Sequence, residues 1–286
     1  MVADGSNICL VKMIDSHVHF WNYHPVKDAW ITDDMEILQA DFTPDELEVE
    51  LLKNGMAGCV AIQADQSERE TEFLLALAQK YSFIKGVVGW VDLQRENLPE
   101  RLALFSANEK LKGWRHIAQA EPQGFLNSAS FLRGIAQLSH FNHTYDILIH
   151  QNQLGEAIAL VEKFPEQRFV LDHMAKPDIK GNKGWLAWQD GIKTLATHQK
   201  VYCKISGMVT EANWTNWKYD DLKYYLDVVF EHFSTDRIMF GSDWPVCKLA
   251  ATYTETKQIV TQYINQLTDL QRKAVFELTA KECYQL

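Results

Sequence analysis

Eight short apolar, β-branched runs, each followed by a stretch of helical periodicity, constrain this chain more tightly than any other feature. The runs fall at 13–17, 58–63, 84–92, 113–118, 145–150, 168–173, 201–206 and 237–241. Between the first two, Thr43-Pro44-Asp45-Glu46 is a helix opening, with a Thr cap, Pro in the first turn and acids facing the positive helix end. Leu47, Leu51 and Leu52 then fall on one side, and similar spacing recurs in Phe73, Leu74, Leu77 and Ala78. Parallel strands cannot be joined by hairpins, so alternation of this kind predicts a parallel sheet. Eight such units predict an α/β fold: a (β/α)8 TIM barrel in a single domain over 13–286, with closing helices at 254–264 and 270–278. No glycine-rich phosphate turn follows the first run, which argues against an open, doubly wound sheet. Nor does a linker, repeat or composition shift divide the 286 residues, and a barrel uses about 250 of them.

Composition narrows the function classes. A net charge of −10 opposes nucleic acid or an anionic membrane as the main partner, since both carry dense negative charge. It leaves room for an anionic small molecule met by a local Arg or Lys. The five cysteines, Cys9, Cys59, Cys203, Cys247 and Cys283, are odd in number and never form a C-x-x-C pair, the pattern of reduced thiols in a cytoplasmic protein. No apolar run approaches the roughly 18 residues of a membrane span. Residues 1–12 lack the basic and apolar segments of a signal peptide and read as a disordered leader, with Met13 as an alternative start. The expectation is a soluble protein, a monomer or homodimer, whose partner is a small molecule.

Chemistry-bearing side chains gather where the runs end, which in a barrel of this kind is one mouth. His17 and His19 stand two apart, so a regular strand projects both imidazoles to one side, an arrangement suited to a metal such as Zn²⁺. Gln63 and Asp65 follow the second run, and Trp90 and Asp92 end the third. Arg115 and His116 lie on the fourth, His150 closes the fifth, and His173 closes the sixth with Lys176 just beyond. Lys204 and Ser206 lie on the seventh, and Asp243 follows the eighth. Each has a structural reading too. His116 suits a satisfied core histidine, Lys204 a helix cap or ion pair, and Asp65 and Asp92 helix N-caps. Asp172 is expected to face the helix layer, and His24, His140, His143, His198 and His232 are given no role.

Five segments together resemble the amidohydrolase superfamily: Ile-Asp-Ser-His-Val-His-Phe-Trp, Leu-Lys-Gly-Trp-Arg-His, Phe-Val-Leu-Asp-His-Met-Ala-Lys-Pro, Cys-Lys-Ile-Ser-Gly-Met-Val-Thr-Glu-Ala and Arg-Ile-Met-Phe-Gly-Ser-Asp-Trp-Pro-Val. The branch is the amidohydrolase-related one that contains sugar lactonases and a pyrone-dicarboxylate lactonase. The resemblance runs from about Met13 to the C-terminus. It implies a distorted barrel and hydrolysis of a lactone or related ester at the C-terminal ends of the strands. His17 and His19 match its first-strand ligands, His173 its sixth-strand histidine and Asp243 its eighth-strand aspartate, usually the general base. His150 falls near the fifth-strand histidine of metal-rich members. Where binuclear members carry a bridging Lys or Glu, this chain has Arg115 and His116, which implies at most one divalent ion. Some members of the branch use one Zn²⁺ and some none.

The chemistry then expected is lactone opening. Asp243 takes a proton from water and returns it to the departing alkoxide. His173, Arg115 and His116 orient the carbonyl or stabilise the oxyanion. His17, His19, His150, His173 and Asp243 are the candidate metal ligands. Trp21, Trp30, Gln63, Trp90, Lys176 and Trp244 are candidates to bind a sugar-like substrate such as L-fucono- or L-rhamnono-lactone, although the tryptophans equally suit barrel-mouth packing. The same ligand set would serve a metal-dependent non-oxidative decarboxylase. A pyrone-dicarboxylate reading is weakened by the lack of an arginine cluster to meet two carboxylates.

Overall fold

The computed structural model describes residues 12–286. The leader expected over 1–12 therefore lies, apart from Lys12, outside the described residues, as does Cys9. Eight strands lie in one sheet in sequence order, each parallel to the next: β1 (Met13–Val18), β2 (Met56–Ile62), β3 (Ile84–Gly89), β4 (Leu111–His116), β5 (Thr144–Ile147), β6 (Phe169–Leu171), β7 (Val201–Ile205) and β8 (Ile238–Phe240). Helices α1 (Pro44–Lys53), α2 (Glu68–Lys80), α3 (Leu98–Ser106), α4 (Ala129–Leu138), α5 (Leu154–Lys163) and α6 (Trp185–Ala196) cover the strands outside. A short α7 (Met208–Glu211) and α8 (Tyr219–His232) follow β7, and α9 (Tyr253–Ile264), α10 (Asp269–Lys273) and α11 (Thr279–Tyr284) follow β8. The predicted (β/α)8 barrel is the observed fold.

Local chemistry explains the element starts. Thr43 and Glu46 form the expected capping box at α1, with the Thr43 N–H donating to Glu46 Oε2 at 2.9 Å. Leu52, expected on the buried side of that helix, is instead exposed. Asp65 is not the cap of α2. Ser67 takes that place, its hydroxyl accepting from the Glu70 N–H and donating to Asp65 Oδ2. The Asp92 carboxylate likewise accepts from the Gln94 N–H, in a turn ahead of α3.

Alternation puts two kinds of side chain inside the barrel. Its floor is apolar: Ile14, Val60, Ile62, Val88, Val170, Tyr202 and Met239 pack against Ala280, Cys283 and Tyr284 of α11, which plugs the lower end. A larger apolar layer fills the space between strands and helices, with Val18, Cys59, Ala61, Trp114, Tyr145 and Phe240 facing outward into it. Burying each large apolar side chain contributes ~1.5–3 kcal/mol.

Three local departures from regular strand geometry position the site. In β1, Asp15 pairs with Cys59 and Val18 with Ala61, so the stretch from Asp15 to Val18 bulges against β2. The bulge resets the alternation: Ile14 faces the floor, while Val18 faces the helices and His17 and His19 face inward. After β6, His173, Met174, Ala175 and Lys176 take left-handed φ values of 52, 53, 59 and 45°. The seam between β8 and β1 is closed by a single bridge, Val18 to Trp244. Around it, the Asp243 N–H donates to the His17 carbonyl, Ser16 Oγ to Phe240 O, and the Ser242 N–H to Asp15 Oδ1. Several strands also end before their apolar runs do, β5 and β6 with most effect on the site. β5 stops at Ile147 and β6 at Leu171, because Leu148, Ile149, Met174 and Ala175 are buried in the helix layer or loops without strand pairing.

Glu70, at the start of α2, is buried with its Oε1 accepting from the Ala64 N–H at 3.1 Å. Burial pushes its carboxyl up from 4.5 to about 7. Below pH 4.5 both folded and unfolded states hold the proton. As pH rises the unfolded chain ionises first, so stability is lost until the folded carboxyl ionises near 7. Glu70→Gln keeps the acceptor and lacks this loss. Urea unfolding is expected to show the variant gaining on the parent by up to ~3 kcal/mol between about pH 4 and pH 8. A pH-independent difference would show that Glu70 ionises normally.

Candidate active site

Directly above the apolar floor, the barrel interior carries four charged side chains, Arg115, Asp146, Asp172 and Lys204, each almost fully buried. Unpaired, any one of them would cost several kcal/mol. Here they alternate in sign. Lys204 Nζ lies 2.7 Å from Asp146 Oδ2 and 3.0 Å from Asp172 Oδ1, and Arg115 Nη1 donates to Asp172 Oδ2 at 3.1 Å. Arg115 also donates to the Gln63 carbonyl through its second amine. Tyr284 reaches up from α11 to donate its hydroxyl to Asp146 Oδ2 at 2.5 Å. Burial alone would raise the Asp172 carboxyl, but Lys204, His17 and Arg115 hold it well below the ordinary range. Against its own burial, Lys204 is kept charged by Asp146 and Asp172.

The imidazoles and one more carboxylate sit next to this network. His17 Nε2 is 3.2 Å from His19 Nε2, and Asp243 Oδ1 is 3.3 Å from His19 Nε2 and 3.7 Å from His17 Nε2. The His17 and His173 rings are 4.4 Å apart, and His17, His173 and Asp243 each offer an atom within 4.8 Å of the others. Two glycines permit this crowding. A Cβ at Gly241 would stand 2.6 Å from His17 Cβ, and one at Gly207, itself at φ +65°, would stand 2.7 Å from His173 Nδ1. Asp243 takes φ +59°, unusual for a residue with a Cβ, and is held there by its N–H to His17 O and by the Cys247 N–H to its own carbonyl. Burial would raise its carboxyl, yet the charge on protonated His173, His19 and His17 draws it well below the ordinary range, so the carboxyl gives up its proton before the rings do. Burial lowers His17 and His19 and brings His173 down to about 4, so these rings are neutral near pH 7.

This donor set fits one divalent ion. His19 Nδ1 donates to the Ile62 carbonyl at 2.9 Å, which leaves its Nε2 bare and aimed at Asp243. His173 Nδ1 pairs with Ser206 Oγ at 2.8 Å and fixes that ring in turn. Neutral imidazoles with one ionised carboxylate are the ligand types of zinc sites.

The remaining expected residues divide. Arg115 lies beside the cluster, with Nη1 3.3 Å from His17 Nε2. Gln63 is buried next to it, its amide donating to the Arg115 carbonyl while its Oε1 lacks a partner among the described residues. Lys176 pairs with Glu211 at 3.6 Å on the loop after β6. His116, expected to orient the carbonyl, is not in the cluster. Arg115 points inward, so its neighbour points outward, where His116 stacks on Phe125 and bonds Trp90 Nε1 and Glu121. His150, expected as a metal ligand, is exposed at the start of a 3-10 turn beyond β5 and belongs to no ligand group there. Trp21 and Trp244, expected to contact substrate, are buried and edge-packed on Phe42. Trp30 is 42% exposed against Trp21, and Trp90 is half-buried with its N–H committed to His116.

Asp172 is the main correction in the other direction. Val170 faces the barrel interior, so Asp172 does too, and the left-handed turn that follows swings His173 inward beside it. Adjacent residues share one face only because the strand has already ended. Asp146 had a signal, an acid within an apolar strand, but it stands below the strand end where chemistry was sought. Tyr284 had none.

Comparison with known proteins agrees with this geometry. The family model described as Amidohydrolase matches residues 14–286. The chain belongs to the amidohydrolase family. It is 37% identical over 284 residues to an L-fucono-1,5-lactonase of Burkholderia multivorans, spanning 96% of each chain. An L-fucono-1,5-lactonase of Burkholderia ambifaria is 31% identical over 244 residues, 84% of this chain and 82% of that one. A crystal structure of an amidohydrolase from Burkholderia multivorans with bound zinc superposes with a TM-score of 0.93 at 36% identity, covering 96% of this chain and 99% of that one. The family and these relatives make the chain a hydrolase.

Replacing Asp172 by Asn would leave two buried cations facing one buried carboxylate. Asp172→Asn is expected to lower the unfolding free energy by ~3–5 kcal/mol in urea denaturation. A loss under about 1 kcal/mol, the range of exposed pairs, would show that water reaches and screens the network.

Proposed function

We propose that this protein opens a sugar-derived lactone, an aldonolactone of the L-fucono-1,5-lactone type, by water attack with Asp243 as the general base. One observation carries the reading: a buried carboxylate held ionised 3.3 Å from an imidazole nitrogen, within a ring of three histidines and an arginine. The two lactonase relatives support the substrate class. A base that starts ionised can accept a proton, and one this well stabilised needs a strongly polarised electrophile to complete the transfer.

The steps balance without leaving a charge behind. Asp243 accepts a proton from water as the water oxygen bonds the lactone carbonyl carbon. The resulting oxyanion is met by the positive charge of Arg115 and by polar contact with His173. Collapse breaks the ring C–O bond, and the proton on Asp243 passes to the departing alkoxide, giving the hydroxy acid. His17, His19, His173 and Asp243 are the residues that would hold one divalent ion, zinc in view of the zinc-bound relative. Such an ion supplies Lewis acidity at the carbonyl or a more acidic water. Lys176, Gln63, Trp30 and Trp90 are the proposed contacts for the sugar hydroxyls and ring face.

Arg115 is the single arginine of the cluster among the described residues, which suits one polarised carbonyl better than a dicarboxylate. Four cysteines, Cys59, Cys203, Cys247 and Cys283, are free and buried, and we place the protein in the cytoplasm on that basis. No helix among the described residues is long and apolar enough to cross a membrane.

A pH-indicator assay tests the assignment. Purified protein is expected to release acid from L-fucono-1,5-lactone, and Asp243→Asn to lower kcat/KM by ~10²–10⁴-fold. Retained full activity in that variant would remove Asp243 from the role of base. Carbon dioxide release from an aromatic acid, with no lactone opened, would replace hydrolysis by decarboxylation.

A further inference from the structure

Lys204 sits beneath the imidazoles, fully buried, and none of the steps above uses it. An ammonium carries three N–H donors. Here three acceptors surround it: Asp146 Oδ2 at 2.7 Å, Asp172 Oδ1 at 3.0 Å and His17 Nδ1 at 3.2 Å. The third contact constrains the imidazole. A neutral histidine has one bare nitrogen and one N–H, so accepting from Lys204 at Nδ1 places the proton on Nε2.

The opposite side of the ring agrees. His19 donates from Nδ1 to the Ile62 carbonyl, which can only accept, so His19 Nε2 is bare. That bare nitrogen stands 3.2 Å from His17 Nε2. With the proton on Nε2, the pair is a hydrogen bond. With it on Nδ1, two lone pairs oppose each other. The competing arrangement has Arg115 Nη1 donating to Nε2 at 3.3 Å and Nδ1–H directed to Asp172 Oδ1 at 3.4 Å. Both of its contacts are longer, and it leaves the two bare nitrogens face to face. The first arrangement costs one opposed pair of N–H groups, between His17 Nε2 and Arg115 Nη1, an amine that also donates to Asp172 Oδ2. Donation therefore runs one way, from Lys204 to His17 to His19 to the Ile62 carbonyl.

We propose that Lys204 is a positioning residue that keeps the His17 proton on Nε2 in the metal-free site, so that His17 donates toward His19 and Asp243, and a metal ion has to displace that proton before His17 can ligate it. Asp146, steadied by the Tyr284 hydroxyl, holds the ammonium in place. Asp172 is the acceptor that would stabilise the other tautomer once Lys204 is gone.

The test needs no substrate, so it stands or falls apart from the lactonase reading. Metal-free protein labelled with ¹⁵N in its histidines is studied by two-bond ¹H–¹⁵N correlation, with His17 assigned by its disappearance in His17→Gln. The parent protein is expected to show His17 protonated on Nε2. The double variant Lys204→Met/Asp146→Asn removes one charge of each sign and so keeps the network neutral. In it the His17 proton is expected on Nδ1, and Zn²⁺ competed against a chelating dye is expected to bind at least ~10-fold tighter, the scale of effects behind a ligating histidine. A parent spectrum with His17 protonated on Nδ1 overturns the proposal, even if the double variant does not fold. So does a folded double variant that keeps the proton on Nε2 or binds Zn²⁺ no more tightly.

Discussion

Charge neutrality inside a closed barrel is the constraint on which the rest of this structure depends. Arg115, Asp146, Asp172 and Lys204 are withdrawn from water, and none would be tolerated without an opposite charge in contact. Their mutual pairing sets the height at which the apolar floor gives way to chemistry. It also gives the imidazoles above them a fixed polar base, since His17 touches both Lys204 and Asp172. A layer of this kind contributes little net stability relative to an apolar core of the same shape. What it supplies is orientation in a medium where electrostatic forces are strong.

A second constraint is the seam between β8 and β1. Regular pairing runs between every other neighbouring pair of strands, whereas here one bridge and several side-chain bonds close the barrel. That looseness has a use. It lets the chain after β8 turn sharply at Asp243 and bond the backbone of His17, which brings the ends of the described chain's first and last strands to one point. Gly241 makes the approach possible by having no side chain to place against His17.

Much of this was legible beforehand. The periodic alternation of strand and helix specified the barrel, and the residue types at strand ends specified four of the groups that converge, His17, His19, His173 and Asp243. The misreadings concern which face a side chain takes. His150 was assigned an inward position, and Asp172 an outward one, by extending strand alternation past the point where pairing stops. His116, by contrast, is still paired in β4 and faces outward because inward Arg115 precedes it. At β5 and β6 the strands end at Ile147 and Leu171, and beyond them burial reports packing under helices instead of pairing. Trp21 and Trp244 carry the same lesson, since an aromatic near a barrel mouth is as useful for sealing the loops as for meeting a ligand.

Hydrophobic periodicity and side-chain chemistry are local properties, so the sequence by itself determined the element types, the parallel barrel, and the presence of a histidine–carboxylate centre at its mouth. Which face each critical residue occupies was decided only in three dimensions. The bulge in β1 and the left-handed turn after β6 depend on how neighbouring strands pack, and nothing in a single chain segment announces them. The bond from Tyr284 to Asp146 joins residues separated by 138 positions, a contact that exists because the C-terminal helix fills the barrel floor and has to place its hydroxyl somewhere polar.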